Sequence, residues 1–277
     1  MRAWDGAVEL PLGSPQQRTV LAALLLREGA MVTVDELVAA VWGDEPPRSA
    51  VNTVRTYLSR LRTLLRDAAT IVSIGGGYAL PVDREAIDVT VFFDQVSEAR
   101  DARRRGDTAE AAESLRAAVV LHRGRPLSGA GGPYADAQRT RLEQQILGAR
   151  IDLLAAEVEL GHADEAIPEL MALADEHPLR ERVHELLMLA LYQAGRQADA
   201  LAVYQHVRLL LADELGIDPG AALQAAHRRI LAADPDLVLP AVLPPTPRTP
   251  APRSGSQRPG GMAVPLRPRR HRRRTGL

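Results

Sequence analysis

The chain contains neither cysteine nor lysine. The first absence excludes disulfides and thiolate zinc sites. The second makes every one of the 34 basic residues an arginine. No run of about 18 apolar residues occurs and no secretory leader opens the chain, so a soluble cytoplasmic protein without membrane contact is expected. No Ser/His/Asp grouping lies in a recognisable catalytic context. The Gly75-Gly76-Gly77 run is followed by neither the Lys-Ser/Thr pair nor the helix of a phosphate loop. An enzyme is therefore not expected, nor a cofactor or a metal. His184 and His206 lie on amphipathic stretches without ligand spacing, which marks them as structural or solvated.

What the chain does contain is most distinctive at residues 48–66. This stretch holds Arg48, Arg55, Arg60, Arg62 and Arg66 and no acid. Val51, Val54, Leu58, Leu61 and Leu65 recur at steps of three and four, the apolar stripe of a helix. The opposite face is Asn52, Thr53, Thr56, Ser59, Arg60 and Thr63. Short amides and hydroxyls with a guanidinium suit base edges in the major groove of DNA. A solvated surface helix would show the same pattern, so the neighbouring elements must decide.

Upstream, Ser14-Pro15-Gln16-Gln17 reads as an N-cap, a proline at the first helical position and a capping-box glutamine. Thr33-Val34-Asp35-Glu36 is a second capping box, and Trp42-Gly43 with Pro46-Pro47 ends the helix it opens. Trp42 is expected in the core. Downstream, residues 71–74, Gly75-Gly76-Gly77 and residues 78–80 read as strand, glycine turn and strand, with Tyr78 a packing anchor beneath. Three helices and a hairpin make the winged variant of helix-turn-helix, whose third helix enters the major groove.

Charge is unevenly distributed. Residues 1–80 carry eight Arg and eight acids, residues 81–236 carry 17 Arg and 27 acids, and residues 237–277 carry nine Arg and no acid. The neutral first segment leaves the 48–66 helix to supply most of the attraction for phosphate. The acidic middle fits protein contacts better than DNA. Helices are expected there at 89–105, 107–121, 134–160, 163–176, 179–194, 197–215 and 219–231. Gly161-His162-Ala163-Asp164-Glu165-Ala166 recurs 34 residues later as Gly195-Arg196-Gln197-Ala198-Asp199-Ala200, the tetratricopeptide period, with a weaker copy from Gly106 to Ala111. A supporting helical bundle is the plainer alternative. The last 41 residues hold nine Pro and nine Arg, too little apolar surface for a core, so disorder is expected; Arg269, Arg270, Arg272, Arg273 and Arg274 could add non-specific phosphate attraction.

The stretches VDELVAAVWGDEPP, NTVRTYLSRLR and GGGYAL resemble the OmpR-type winged-helix domain. With HPLRERVHELLMLALYQAGRQADALAVYQ and LADELGIDPGAALQ, the chain to about residue 234 resembles the Streptomyces antibiotic regulatory protein family. The resemblance implies a mainly α architecture: a winged helix-turn-helix at 1–82, an all-α, TPR-like bacterial transcriptional activation domain at 83–236, and a tail at 237–277. It implies a transcriptional activator of a secondary-metabolite gene cluster, paired on promoter direct repeats of double-stranded DNA as a homodimer and contacting RNA polymerase holoenzyme. By the same resemblance Asn52, Thr53, Thr56 and Arg60 face base edges. Arg48, Arg55, Ser59 and Arg62 meet phosphates or groove walls, and Gly75, Gly76, Gly77 and Tyr78 form the wing.

Two positions depart from the family pattern. Ile74 stands where the family carries an arginine before the wing turn. Of the family's longer N-terminal sheet only the last strand is expected, around Val8-Glu9-Leu10: either the start is assigned too late or the sheet is shortened, and a shortened sheet predicts a first helix left partly uncovered. Larger family members append a nucleotide-hydrolysing module; this sequence ends before one, so control through expression level is expected. A repressor or architectural DNA binder with the same reader, or a TPR-type adaptor whose winged fold no longer binds DNA, remains open.

Overall fold

The computed structural model describes residues 1–65 and 69–237. Arg66 and the expected disordered tail with its arginine cluster, from residue 238 on, lie outside the described residues. The first elements follow their start signals. Strands β1 (Trp4–Asp5) and β2 (Val8–Glu9) form a small antiparallel hairpin, and helix α1 (Pro15–Leu25) opens on Ser14, whose Oγ accepts from Gln17 N–H at 3.3 Å. Only this half of the expected capping box forms there. At helix α2 (Val34–Trp42) both halves form: Glu36 N–H donates to Thr33 Oγ1 and the Glu36 carboxylate accepts from Thr33 N–H at 2.8 Å. The Thr33 amide and hydroxyl hold the Glu36 carboxyl below the usual carboxylate range.

Helix α3 (Ala50–Leu65) follows, then the wing strands β4 (Val72–Ile74) and β5 (Gly77–Ala79). A short strand β3 (Val32–Thr33) completes a three-stranded sheet in the order β3-β5-β4. The wing turn is two residues, Gly75 and Gly76, both at positive φ (51° and 92°), as a tight hairpin of primed geometry requires. Gly77, expected in the turn, instead opens β5 opposite Ile74 and Thr33. It is glycine for another reason: a Cβ there would lie 2.6 Å from the Val32 carbonyl oxygen and 2.7 Å from Met31 Cγ. Gly77→Ala is therefore expected to destabilise by about 1–3 kcal/mol through overpacking, read as a lower urea midpoint; an unchanged midpoint would show that β3 gives way freely.

Trp42 is half-buried against this first core rather than fully inside it. Its fully buried members include Val20, Leu24, Leu37, Val54, Leu58 and Leu61, drawn from all three helices.

The rest is helical: α4 (Asp88–Arg105), α5 (Thr108–Val120), α6 (Pro133–Glu159), α7 (Ala163–Glu176), α8 (Glu181–Gln193), α9 (Gln197–Leu215) and α10 (Ala221–Leu231). The helix ends fall within two residues of the sequence expectation. Three hairpins, α4/α5, α6/α7 and α8/α9, turn on the same device. Gly106, Gly161 and Gly195 each take positive φ (79°, 88° and 74°) just after the first helix. The following N–H groups then reach back: Asp107 to Ala102 O at 3.0 Å, His162 to Glu157 O at 2.9 Å and Arg196 to Leu191 O at 2.8 Å. Five residues beyond each glycine, Ala111, Ala166 and Ala200 are buried where the paired helices close on each other. The 34-residue recurrence is thus a repeated helix stop and close-packing signal, in the tetratricopeptide manner. Two apolar clusters fill the stack, one among α4, α5 and α6 and a larger one from α6 through α10.

Helix α10 is tied in at both ends. Gly220 N–H donates to the Glu181 carboxylate at 2.6 Å, Gln197 Nε2 donates to Ile230 O at 3.1 Å, and the His227 ring stacks on Tyr204 at 3.7 Å. Among the described residues no helix is long and apolar enough to cross a membrane.

The expectation of a partly uncovered first helix is overturned. Two N-terminal strands are present, not one, but they form a hairpin of their own whose Trp4 and Val8 are exposed. Helix α1 is covered from the other side, by the loop before α6. The Thr19 hydroxyl, fully buried, accepts from Gly131 N–H at 3.1 Å and donates to Gly131 O at 2.5 Å. Gly132 passes so close to α2 that a Cβ would stand 2.5 Å from Val41 O, and Tyr134 packs on the first core, its burial raising the phenol pKa. A sequence separation of more than a hundred residues hid this cover.

Candidate nucleic-acid interface

Helix α3 shows its sidedness directly. Ala50, Val54, Leu58, Leu61 and Leu65 are buried, while Asn52, Arg55, Thr56, Ser59, Arg60 and Arg62 are exposed. At 100° per residue, Asn52, Thr56, Ser59 and Thr63 lie within about 40° of the outward direction. Arg60 and Thr53 flank them on one side, Arg55 and Arg62 on the other. Thr53 is half-buried on its flank. Arg48 sits in the turn just before the helix rather than on it.

Val51, expected in the apolar stripe, is 38% exposed. The buried stripe begins at Ala50, and one residue on turns the side chain out of the core. That adds an apolar surface beside Arg55, a contact the sequence reading missed because periodicity alone does not fix where a stripe ends.

The hydroxyl protons on this face are engaged inward. Thr53 Oγ1 donates to Ser49 O at 3.0 Å and Thr56 Oγ1 to Asn52 O at 2.9 Å. Each then presents lone pairs and a methyl group outward. Asn52 supplies a two-way amide. What distinguishes the face is that no acid shares helix α3 with its arginines. Among the described residues Arg48, Arg55 and Arg60 hold no carboxylate; elsewhere Arg84, Arg103, Arg105, Arg116 and Arg150 pair with Asp or Glu, while Arg100, Arg123, Arg141, Arg208 and Arg228 do not. Guanidinium groups on both flanks of a face with no acid on its helix raise local anion concentration.

Arg62 behaves differently from its neighbours. Its Nε donates to Ile71 O at 3.0 Å, its Nη2 donates to Ser73 Oγ at 2.9 Å, and its Cζ lies 5.4 Å from the centre of the Tyr78 ring. The sequence grouped it with the phosphate contacts; the structure turns it toward the wing. Tyr78 is half-buried under it, the packing anchor expected of it. Gly75 and Gly76 are exposed at the wing tip beside Ile74, which is 48% exposed, so the tip carries no charge.

The two histidines set aside by sequence are accounted for. His184 is buried, its Nε2–H donates to Pro178 O at 2.8 Å and burial lowers its pKa, while His206 is exposed.

Comparison with known proteins places this geometry. Residues 9–80 match the family described as transcriptional regulatory protein, C terminal, and residues 87–231 match the bacterial transcriptional activator domain. The regulatory protein AfsR of Streptomyces griseus is 50% identical over 244 residues, covering 87% of this chain and 25% of its own length. The regulatory protein DnrI of Streptomyces peucetius is 33% identical over 231 residues, covering 79% of this chain and 85% of its own. Mycobacterium tuberculosis EmbR, solved in complex with a low-affinity phosphopeptide, superposes with a TM-score of 0.76 at 34% identity, covering 82% of this chain and 61% of that one. The chain spans about a quarter of the length of its AfsR relatives. With a winged-helix part, a helical activator domain and relatives matched along most of their length, this chain belongs to the Streptomyces antibiotic regulatory protein family of transcriptional regulators.

Proposed function

We propose that the protein is a sequence-specific DNA-binding activator of a secondary-metabolite gene cluster, with α3 read into the major groove. Arg60 takes guanine O6 and N7. Asn52 takes adenine, and Thr53 and Thr56 accept from amino groups or meet thymine methyls. Val51 adds a second apolar contact for a thymine methyl. Arg48, Arg55 and Ser59 set the register through phosphates. Residues 1–82 act as the reader and 83–236 as the protein-contacting part. Two protomers sit side by side on promoter direct repeats, and the acidic helical part contacts RNA polymerase holoenzyme at the nucleoid. The observation that carries this reading is the polar, acid-free outward face of α3, with Arg48, Arg55 and Arg60 beside it and holding no carboxylate among the described residues.

Footprinting on intergenic DNA next to its own gene tests the reading, with a promoter-reporter assay to separate activation from repression. Two adjacent protected repeats and a raised reporter are expected. Absence of protection on every fragment would favour the adaptor reading, and a lowered reporter the repressor. The neutral wing gives a second check. Ile74→Arg is expected to strengthen binding several-fold at low salt and to steepen the dependence of log K on log salt by about one. A slope left unchanged would mean that the wing tip stays clear of the phosphates.

A further inference from the structure

We propose that Arg62 is a positioning residue that sets the wing against the recognition helix, and that it neutralises no DNA phosphate. The inference rests on the DNA-binding reading above and refines which groups carry it. Strand β4 lies at the edge of its sheet, with β5 its only strand neighbour among the described residues. An edge strand of three residues is weakly held by its own ladder. Arg62 grips that free edge. Its planar fork meets the backbone at Ile71 O and the side chain at Ser73 Oγ, and its face covers Tyr78 on the adjoining strand. One guanidinium thus touches both wing strands from the C-terminal half of α3. Lysine could not reproduce this, because an ammonium has neither the fork nor the plane.

Ile74 follows Ser73 at the tip, so the grip acts immediately behind the part of the wing that faces outward. A small rotation at that root swings the tip. With two of its nitrogens engaged inside the protein and its face on a ring, Arg62 has less donor capacity left for a phosphate than Arg48, Arg55 or Arg60, which keep all of theirs among the described residues.

The two roles give opposite readouts. The probe is a duplex selected from a random DNA pool by the wild-type protein, and binding is followed across salt concentrations with hydroxyl-radical footprinting. Arg62→Met keeps the aliphatic stem and removes the fork. It is expected to bind about tenfold more weakly with the wild-type salt slope, losing wing-side protection while major-groove protection stays. Arg62→Lys is expected to fail in the same way although it keeps the charge. A salt slope lowered by about one in Arg62→Met, together with near wild-type binding by Arg62→Lys, would overturn the proposal in favour of a phosphate contact. Should Arg62→Met fail to fold, Ser73→Ala removes a single exposed bond. It is expected to weaken wing-side protection without a change of slope, and unaltered protection would overturn the proposal. If the wild-type protein selects no DNA, the DNA-binding reading falls and this inference with it; selection by the wild type with unaltered variants sinks this inference alone.

Discussion

Replacing Arg139 by methionine is expected to cost about 2–4 kcal/mol of folding stability, read as a lower urea midpoint with an unchanged slope. The side chain is only 10% exposed. Its Nε donates to Pro126 O at 3.2 Å, and its Nη2 donates to Ala130 O at 3.0 Å and Leu127 O at 3.3 Å, while its Nη1 pairs with Asp136. Asp136 is well exposed and stays hydrated when its partner goes, so the carboxylate adds little to the cost. The cost comes from the carbonyls of Pro126, Leu127 and Ala130, which the guanidinium gathers; of these Leu127 O also accepts from Ala130 N–H at 3.0 Å. That turn holds Leu127 at positive φ (50°), a strained place for a branched side chain, so it needs an external tie. Arg139→Lys is expected to recover less than half, because one ammonium cannot span three carbonyls in different directions.

The consequence reaches the interface. The same loop carries Gly131 to the buried Thr19 hydroxyl on α1, so loosening it frees the helix on which α3 packs. DNA affinity should fall together with stability and recover under stabilising osmolyte. A midpoint equal to wild type would show that water replaces the arginine at no cost.

Arg60→Ala should behave in the reverse manner, with folding intact and recognition lost. Arg60 is exposed and holds no partner among the described residues, so its removal is expected to leave the folding stability from urea titration within about 0.5 kcal/mol of wild type. At the cognate site the loss is expected to be about 1–3 kcal/mol, roughly five- to 150-fold in Kd, if the fork sits on one guanine. Discrimination at that base should relax, while binding to unrelated DNA changes little. An anisotropy titration on matched and mismatched duplexes measures both. Equal losses on every duplex would move Arg60 from base reading to phosphate contact.

Much of this was legible in the sequence because it is local. Ser14 and Thr33 announce helix starts, and Gly106, Gly161 and Gly195 announce stops, since caps involve groups only a few residues apart. The stripe in α3 follows from a period of 3.6. What escaped was tertiary. Strand β3 is two residues long, and it exists because Val32 and Thr33 meet Tyr78 and Gly77, some 45 residues on. Val51 turned outward because the core, not the period, decides which turn of a stripe is used. Arg62 and Arg139 are arginines like any other in the sequence. Only the carbonyls they meet set them apart from Arg48, Arg55 and Arg60. Nothing within α1 indicates that a loop beyond residue 120 covers it, and a count of N-terminal strands pointed to an exposure that is not there.

The central claim is that the outward face of α3 reads base sequence. Selection from a random duplex pool, run in parallel with the wild-type protein and Arg60→Ala, tests it without knowledge of the target. The expected result is a wild-type motif of two tandem repeats, each with a fixed guanine that the variant no longer selects. Identical motifs from both proteins, or no enrichment with a folded wild-type protein, would contradict the account.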